Sequence, residues 1–439
     1  MSSVTVYPCT LSGKLSVPGD KSISQRVALL ASLASGTSEI SGYLDSEDAQ
    51  NTLKAVKELG ASYHLKSNGN LLITGVNGFF KPPNKPLNLG NSGTGSRLLA
   101  GLLAGSGINA EIIGDESLSR RPMNRIQDPL SKMGAKIKFE DQSCTLPMKI
   151  EGGGLTGITY HLPVPSAQVK SCVLFAGLFA KGETKVIEPR PTRDHTEKLF
   201  QHFNIPIEVN GNQITIDGDV LSTEVFACKD TDIPGDFSSA AFWITAATCS
   251  KESVVLINNV GLNPRRTALL NVLKRMGAKI NIKNKISNSE PFGSIEVYGS
   301  SLHGTVIEGD EVPNLIDELP VLAVAGALAD GDTIIRNAEE LRVKESDRIH
   351  EMVKSLRKFG VRVDEFEDGM KVYGKAELRT PSESISCNGD HRIAMSLAIL
   401  NLFSDGSLEI DHVECVDTSY PTFWDDLTLL GGRVDRICK

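Results

Sequence analysis

The chain has 439 residues, 40% hydrophobic and 23% charged, ordinary values for globular protein, and it is too long for one core, so two or more domains are expected. A net charge of −8 and 5% aromatic content argue against a nucleic-acid or anionic-membrane surface, and no apolar run is long enough to span a bilayer. Eight cysteines without a C-x-x-C pair, and a start (MSSVTVYPCT) with no basic-then-apolar leader, lead us to expect reduced thiols, no zinc site and a cytoplasmic location.

In chain order, the first informative segment is Val17-Pro18-Gly19-Asp20-Lys21-Ser22-Ile23-Ser24-Gln25-Arg26. It reads as a strand end, a Pro-Gly turn and the first turns of a helix. Free N–H groups and the macrodipole make a helix N-terminus favour anions and disfavour cations. Lys21 makes sense there if an anionic ligand lies against it, although a solvated surface turn is the commoner outcome for such a segment alone.

The helix beginning there, SISQRVALLASLASG, is the first of six of one kind. The others are SGTGSRLLAGLLAG, SAQVKSCVLFAGLFAKG, DFSSAAFWITAATCSK, DELPVLAVAGALADG and DHRIAMSLAILNLFSDG. Each is small or apolar nearly all round, as a buried helix is, and each precedes a short β-rich stretch. A second, amphipathic helix then ends in L-x-x-x-G or close to it and leads to another strand. Gly60, Gly134, Gly277, Gly360 and Gly431, with Asn204 in the third copy, fit the position just past the helix end, where positive φ is needed. Units this long are α/β modules rather than solenoid turns. The turn at residues 17–20 recurs at 233–236, dividing the modules three and three. We expect one domain over residues 21–234 and a second from residues 1–20 and 235–439. Pairing of the N- and C-terminal strands would close the second, and a ligand cleft is expected between the two.

The starts of the six buried helices differ. The first carries Lys21, Ser22 and Arg26, and the second is the Gly- and hydroxyl-rich run Asn91-Ser92-Gly93-Thr94-Gly95-Ser96-Arg97, suited to an oxyanion. The third opens with Ser166, Ala167, Gln168 and Lys170, the fifth with Asp317 and Glu318, the sixth with Asp390, His391 and Arg392. The fourth, from Asp236, has no basic or amide group beyond its cap. Singly, Ser166 and Asp317 read as N-caps. Further basic segments hold Arg120 and Arg121, then Arg193 and His195, then Arg342, Lys344, Glu345, Asp347 and Arg348. The spacing of Lys344, Asp347 and Arg348 predicts one helical face.

The ordered motifs PGDKSISQR, LGNSGTGSR, SRRP, PSAQ, TRDH, IDELP, LRVKESDR and GDHR resemble those of the 5-enolpyruvylshikimate-3-phosphate synthase family of enolpyruvyl transferases, over nearly the whole chain. The resemblance implies a two-domain α/β fold of six βαβαββ units, three per domain, an inside-out α/β barrel. It implies transfer of the enolpyruvyl group of phosphoenolpyruvate to the 5-hydroxyl of shikimate 3-phosphate, with no metal or organic cofactor, in a monomer. Lys21 is then expected to contact phosphoenolpyruvate and to lie close to shikimate 3-phosphate. Ser22, Arg26, Ser166, Ala167, Gln168, Arg193, Asp317 and Lys344 would bind shikimate 3-phosphate, while Asn91, Gly93, Arg121, Gln168, Arg348 and Arg392 would hold phosphoenolpyruvate. Arginine suits both, because its planar fork matches carboxylate and phosphate oxygens.

By the same resemblance Asp317 is the general base for the 5-hydroxyl. Glu345, with Lys21 or Lys344 nearby, is the source of the proton for the methylene carbon. The alcohol is a poor nucleophile and needs a base within hydrogen-bond reach. SAQ and TRDH resemble the second class of the family, and Asp417-Thr418-Ser419-Tyr420-Pro421 stands where well-known members have a Lys-containing motif. Gly93, often Ala in that class, implies a pocket open to the inhibitor glyphosate. Two other readings are a transferase acting on UDP-N-acetylglucosamine, which would have Lys-Asn at Lys21-Ser22 and a Cys in the loop at residues 114–121, and a non-catalytic anion binder, which would have no use for Asp317 and Glu345.

Overall fold

The computed structural model describes residues 2–218, 225–285 and 289–438. Its described helices are α1 (Lys21–Leu33), α2 (Glu47–Glu58), α3 (Gly93–Gly105), α4 (Asn124–Lys132), α5 (Ala167–Gly177), α6 (His195–His202), α7 (Phe237–Cys249), α8 (Ala268–Arg275), α9 (Leu319–Leu328), α10 (Arg348–Lys358), α11 (His391–Asn401) and α12 (Phe423–Leu429). The odd-numbered six are the apolar helices of the repeat and are buried almost throughout. The even-numbered ones bury a single face. Asp20, Ser92, Ser166, Asp236 and Asp390 cap their helices, each side chain accepting a hydrogen bond from a first-turn N–H. After the amphipathic helices the chain turns back through positive φ, at Gly60 (105°), Gly134 (105°), Gly277 (107°), Gly360 (84°), Gly431 (96°) and Asn204 (58°).

Each module contributes a four-stranded sheet. In one, Leu87–Asn88 pairs in parallel with Asn109–Ile113, and Met148–Glu151 pairs antiparallel with both Asn109–Ile113 and Lys136–Phe139. Three strands come from far along the chain. Thr231–Asp232 lies parallel to Thr37–Ser41, and Ser12–Ser16 lies parallel to Val254–Gly261. Ser2–Val6 sits antiparallel between Leu408–Asp411 and Val434–Cys438, the N- and C-terminal pairing that the repeat led us to expect.

By contacts the chain divides into a first unit, Gly19–Ile233 together with Asn288–Glu290, and a second unit, Met1–Pro18, Pro234–Ser287 and Pro291–Lys439. Each has its own apolar core, one around α1, α3 and α5, the other around α7, α9 and α11. The changeovers fall inside the Pro-Gly turns rather than at residues 21 and 235. The Pro18 carbonyl accepts from Asp236 N–H at 2.8 Å and so goes with the second unit. Gly19 packs so closely on the first unit that a Cβ there would lie 1.8 Å from the Gly42 carbonyl oxygen. Ile233 N–H is held by the Ser41 carbonyl of the first unit, whereas Gly235 N–H is held by Asn259 of the second.

Candidate active site

In the first unit the N-termini of α1, α3 and α5 converge. Gln25 of α1 donates to the α3 cap Ser92 at 2.5 Å and to Thr52 at 3.1 Å. Gln168 of α5 donates to Thr94 of α3 at 2.9 Å and accepts from Arg97 at 2.6 Å. Arg26 of α1 donates to Ser171 of α5 at 2.9 Å and to Thr196 of α6 at 2.8 Å, and its Nη1 donates to the Ser22 carbonyl at 2.9 Å. Three positive helix ends therefore meet at one place, an arrangement that attracts anions.

The cations are held at that place. Lys21, the first residue of α1, reaches Asp48 of α2 at 2.9 Å. Arg121 spans Asn91, donating to its side-chain oxygen at 2.6 Å and its carbonyl at 3.2 Å, and donates to Ser117 at 3.0 Å. Asn91 in turn donates to Asp115 at 2.8 Å. Burial pulls the Arg26 guanidinium down to about 10, against the opposing pull of Glu197 and Asp20, and it stays a cation at neutral pH. Arg193 is half-buried and near enough to Arg26 to lower it further. Ser166 caps α5 and Ala167 is its first residue, so their backbone lies at the helix end. Lys170 proves structural: it is fully buried between Glu188 (3.1 Å) and Glu197 (2.6 Å).

In the second unit the starts of α7, α9 and α11 converge in the same way, but on acids. Ser238 of α7 donates to Glu318, and Arg392 of α11 donates to the Asp317 carbonyl at 2.7 Å. The Asp317 carboxylate lies 3.6 Å from Arg348, 3.6 Å from Arg266 and 4.0 Å from Arg392. Arg348 is buried, donating to Asp390 at 2.8 Å and to Glu345. Burial opposes its charge, but Asp390, Glu345 and Asp317 outweigh that and raise its pKa above the usual arginine value. Lys344 moves the other way. Burial lowers its pKa, with Asp317 opposing, Arg348 adding to the fall, and Glu340 and Glu345 opposing.

Two local expectations are corrected. Asp317 is not the cap of α9, because Glu318 holds that position without a side-chain capping bond; the Asp317 carboxylate faces arginines instead. Lys344, Asp347 and Arg348 do not share a helical face. Lys344 ends the 3₁₀ turn Glu339–Val343, and Asp347 caps α10, which begins at Arg348. The start of α7 is also not without a cation, since Arg266 donates to Ser238 at 2.6 Å. Asp48 and Arg266 are not singled out by any motif, and Arg97 only as the end of the oxyanion run. A signal existed: they and Arg121, Arg193 and Arg348 either open the second helix of a module or sit just inside the first. In the departing segment near the C-terminus Thr418, Ser419 and Tyr420 are buried, and Tyr420 accepts from Trp243 Nε1–H at 2.7 Å.

Residues 7–427 match the model of the family described as EPSP synthase (3-phosphoshikimate 1-carboxyvinyltransferase). A 3-phosphoshikimate 1-carboxyvinyltransferase of Akkermansia muciniphila is 48% identical over 429 residues, covering 95% of this chain and 97% of the relative. The enzyme of that description from Bacillus subtilis is 41% identical, covering 97% and 98%. Among solved structures, an EPSP synthase from Acinetobacter baumannii superposes with a TM-score of 0.87 at 39% identity, covering all of both chains. The enolpyruvyl transferase NikO from Streptomyces tendae, at 18% identity and a TM-score of 0.81 over 99% of each chain, shares the fold.

Proposed function

The chain belongs to the EPSP synthase (3-phosphoshikimate 1-carboxyvinyltransferase) family, and from that premise we propose how its residues divide the work of enolpyruvyl transfer. The reaction passes the enolpyruvyl group of phosphoenolpyruvate to the 5-hydroxyl of shikimate 3-phosphate and releases phosphate; the family match sets aside the UDP-N-acetylglucosamine alternative. In our reading the first unit is the anion holder. Ser22, Arg26, Arg193 and the α5 start at Ser166, Ala167 and Gln168 take shikimate 3-phosphate. Lys21, Asn91, Gly93 and Arg121 take phosphoenolpyruvate, with Gln168 touching both. Charge-assisted hydrogen bonds from arginine forks and helix N–H groups supply the affinity.

The second unit supplies the acid and base, with Arg348 and Arg392 holding phosphoenolpyruvate and Lys344 reaching shikimate 3-phosphate. Glu345 delivers a proton to the methylene carbon, and Lys344, an ammonium destabilised by burial, replenishes it. That step leaves cationic character at C2. The 5-hydroxyl oxygen attacks C2 as Asp317 takes its proton, giving a tetrahedral phosphate adduct. Removal of a methyl proton and departure of phosphate then restore the double bond as an enol ether.

The observation carrying this reading is the place of Asp317, a carboxylate among Arg266, Arg348 and Arg392 that does no capping. The test is phosphate release dependent on shikimate 3-phosphate. Asp317→Asn should lower kcat by on the order of 10²–10⁴-fold while calorimetric binding of shikimate 3-phosphate persists. A variant turning over within a few-fold of the unaltered protein would remove Asp317 from that role.

A further inference from the structure

Arg266 belongs to none of the motifs above, yet it stands in register with residues that do. In five of the six modules a charged residue recurs at a similar spacing after the cap of the first helix. Counted from the cap of the first helix, Asp48 lies 28 positions after Asp20, Arg121 29 after Ser92, Arg193 27 after Ser166, and Arg348 30 after Glu318. Arg266 lies 30 after Asp236. It is the fourth arginine of a repeated position whose other three are assigned above to substrate.

Like Arg348, Arg266 is turned into the protein. Its side chain is 4% exposed. It donates to Ser238 at 2.6 Å and lies 3.5 Å from Asp236, 3.6 Å from Asp317 and 3.8 Å from Glu318. Ser238 donates in turn to Glu318. Asp317 and Glu318 are sequence neighbours, and adjacent carboxylates oppose each other's ionisation unless a cation lies between them. Arg348, Arg392 and Lys344 also face Asp317, but as groups that the reaction needs for its substrates. Arg266 is placed to hold the carboxylate whether or not those three are engaged.

We propose that Arg266 is a positioning residue for Asp317, fixing the orientation and charge of the general base through the Ser238–Glu318 network. The inference rests on the reading of Asp317 as that base. It also explains why Ser238 is retained at the α7 start: the hydroxyl there links Arg266 to Glu318.

The test is a double-mutant cycle of Arg266→Gln and Asp317→Asn in the full chain. The readouts are phosphate release with both substrates, shikimate 3-phosphate affinity by calorimetry, and the melting temperature. Arg266→Gln should lower kcat by about 100-fold, the scale of a misplaced catalytic group, with both KM values within about threefold. Arg266→Lys should recover part of the loss. In the Asp317→Asn background, Arg266→Gln should cost nothing further, because its effect passes through the carboxylate. Equal losses in both backgrounds, or a loss confined to shikimate 3-phosphate affinity, would overturn the proposal. If Arg266→Gln does not fold, Arg266→Lys takes its place in the cycle, and the same outcomes support or overturn the proposal. Unimpaired kcat in Asp317→Asn alone would instead overturn the base assignment, and this inference with it.

Discussion

At the scale of the residue, Gly93 and Lys344 carry the sharpest expectations. Gly93 opens α3, and a Cβ there would lie 3.0 Å from Arg97 Nη1 and 3.3 Å from Arg121 Nη1. The neighbours are ends of flexible side chains, so Gly93→Ala should fold. It should displace the Arg121 fork, raise the phosphoenolpyruvate KM severalfold, and raise the inhibition constant for glyphosate by more than about tenfold, a loss of roughly 1.4 kcal/mol of binding. Steady-state inhibition at fixed phosphoenolpyruvate checks this, and equal sensitivity of the two proteins would refute it. Lys344 has a pKa lowered by burial, so its ammonium is lost at a lower pH than an ordinary lysine's. If that ammonium is the proton source, kcat should fall as pH rises through the lowered value. Lys344→Arg keeps the charge but cannot give up a proton, so it should remove this alkaline limb and lower the plateau. A kcat profile whose limb stays in place would assign the limb elsewhere.

At the scale of the element, most of the fold is legible in the sequence. The six buried helices announce themselves by being apolar all round, and the Gly or Asn after each amphipathic helix marks a positive φ that the structure contains. What resists is anything that depends on return of the chain. Asp48 and Arg266 act on the starts of α1 and α7, helices other than the ones they adjoin in sequence, and Arg97 reaches across to Gln168 of α5. The charge run at residues 342–348 misleads because its spacing suits a helix, while Asp347 caps one and so breaks the run in two. The close helix pair α3 and α5 gives a test of how packing positions the site. A Cβ at Gly101 would fall 2.2 Å from the Cys172 carbonyl oxygen, a backbone atom that cannot step aside. Gly101→Ala should separate the helices, cost about 1–3 kcal/mol or more, and loosen the Gln168–Thr94 bond. Thermal melting and phosphoenolpyruvate KM measure the two effects, and an unshifted melt would show that the helices do not touch as described.

At the scale of the whole molecule, the two units have separate cores and different chemical characters, one gathering cations at its helix ends and the other gathering acids with their arginines. The second unit depends on both ends of the chain. Deleting residues 1–18 removes the strand Ser2–Val6 from the middle of one sheet and Ser12–Ser16 from the edge of another, leaving Leu408–Asp411 and Val434–Cys438 without their shared partner. That deletion should abolish turnover and expose unfolded regions to protease while residues 19–233 stay protected. Uniform protection would contradict the division. The division is foreshadowed by the recurrence of the Pro-Gly-Asp turn, and the comparison of its two copies carries the central claim. The turn and helix start recur at residues 234–238, but Phe237 stands where the first copy has Lys21, so the scaffold does without that cation. The most direct test is the rate of shikimate 3-phosphate-dependent phosphate release by Lys21→Ala. A fall of at least about 100-fold in a protein that melts as before is the predicted result. Turnover near that of the unaltered protein would contradict the claim that this cation is there for the ligand.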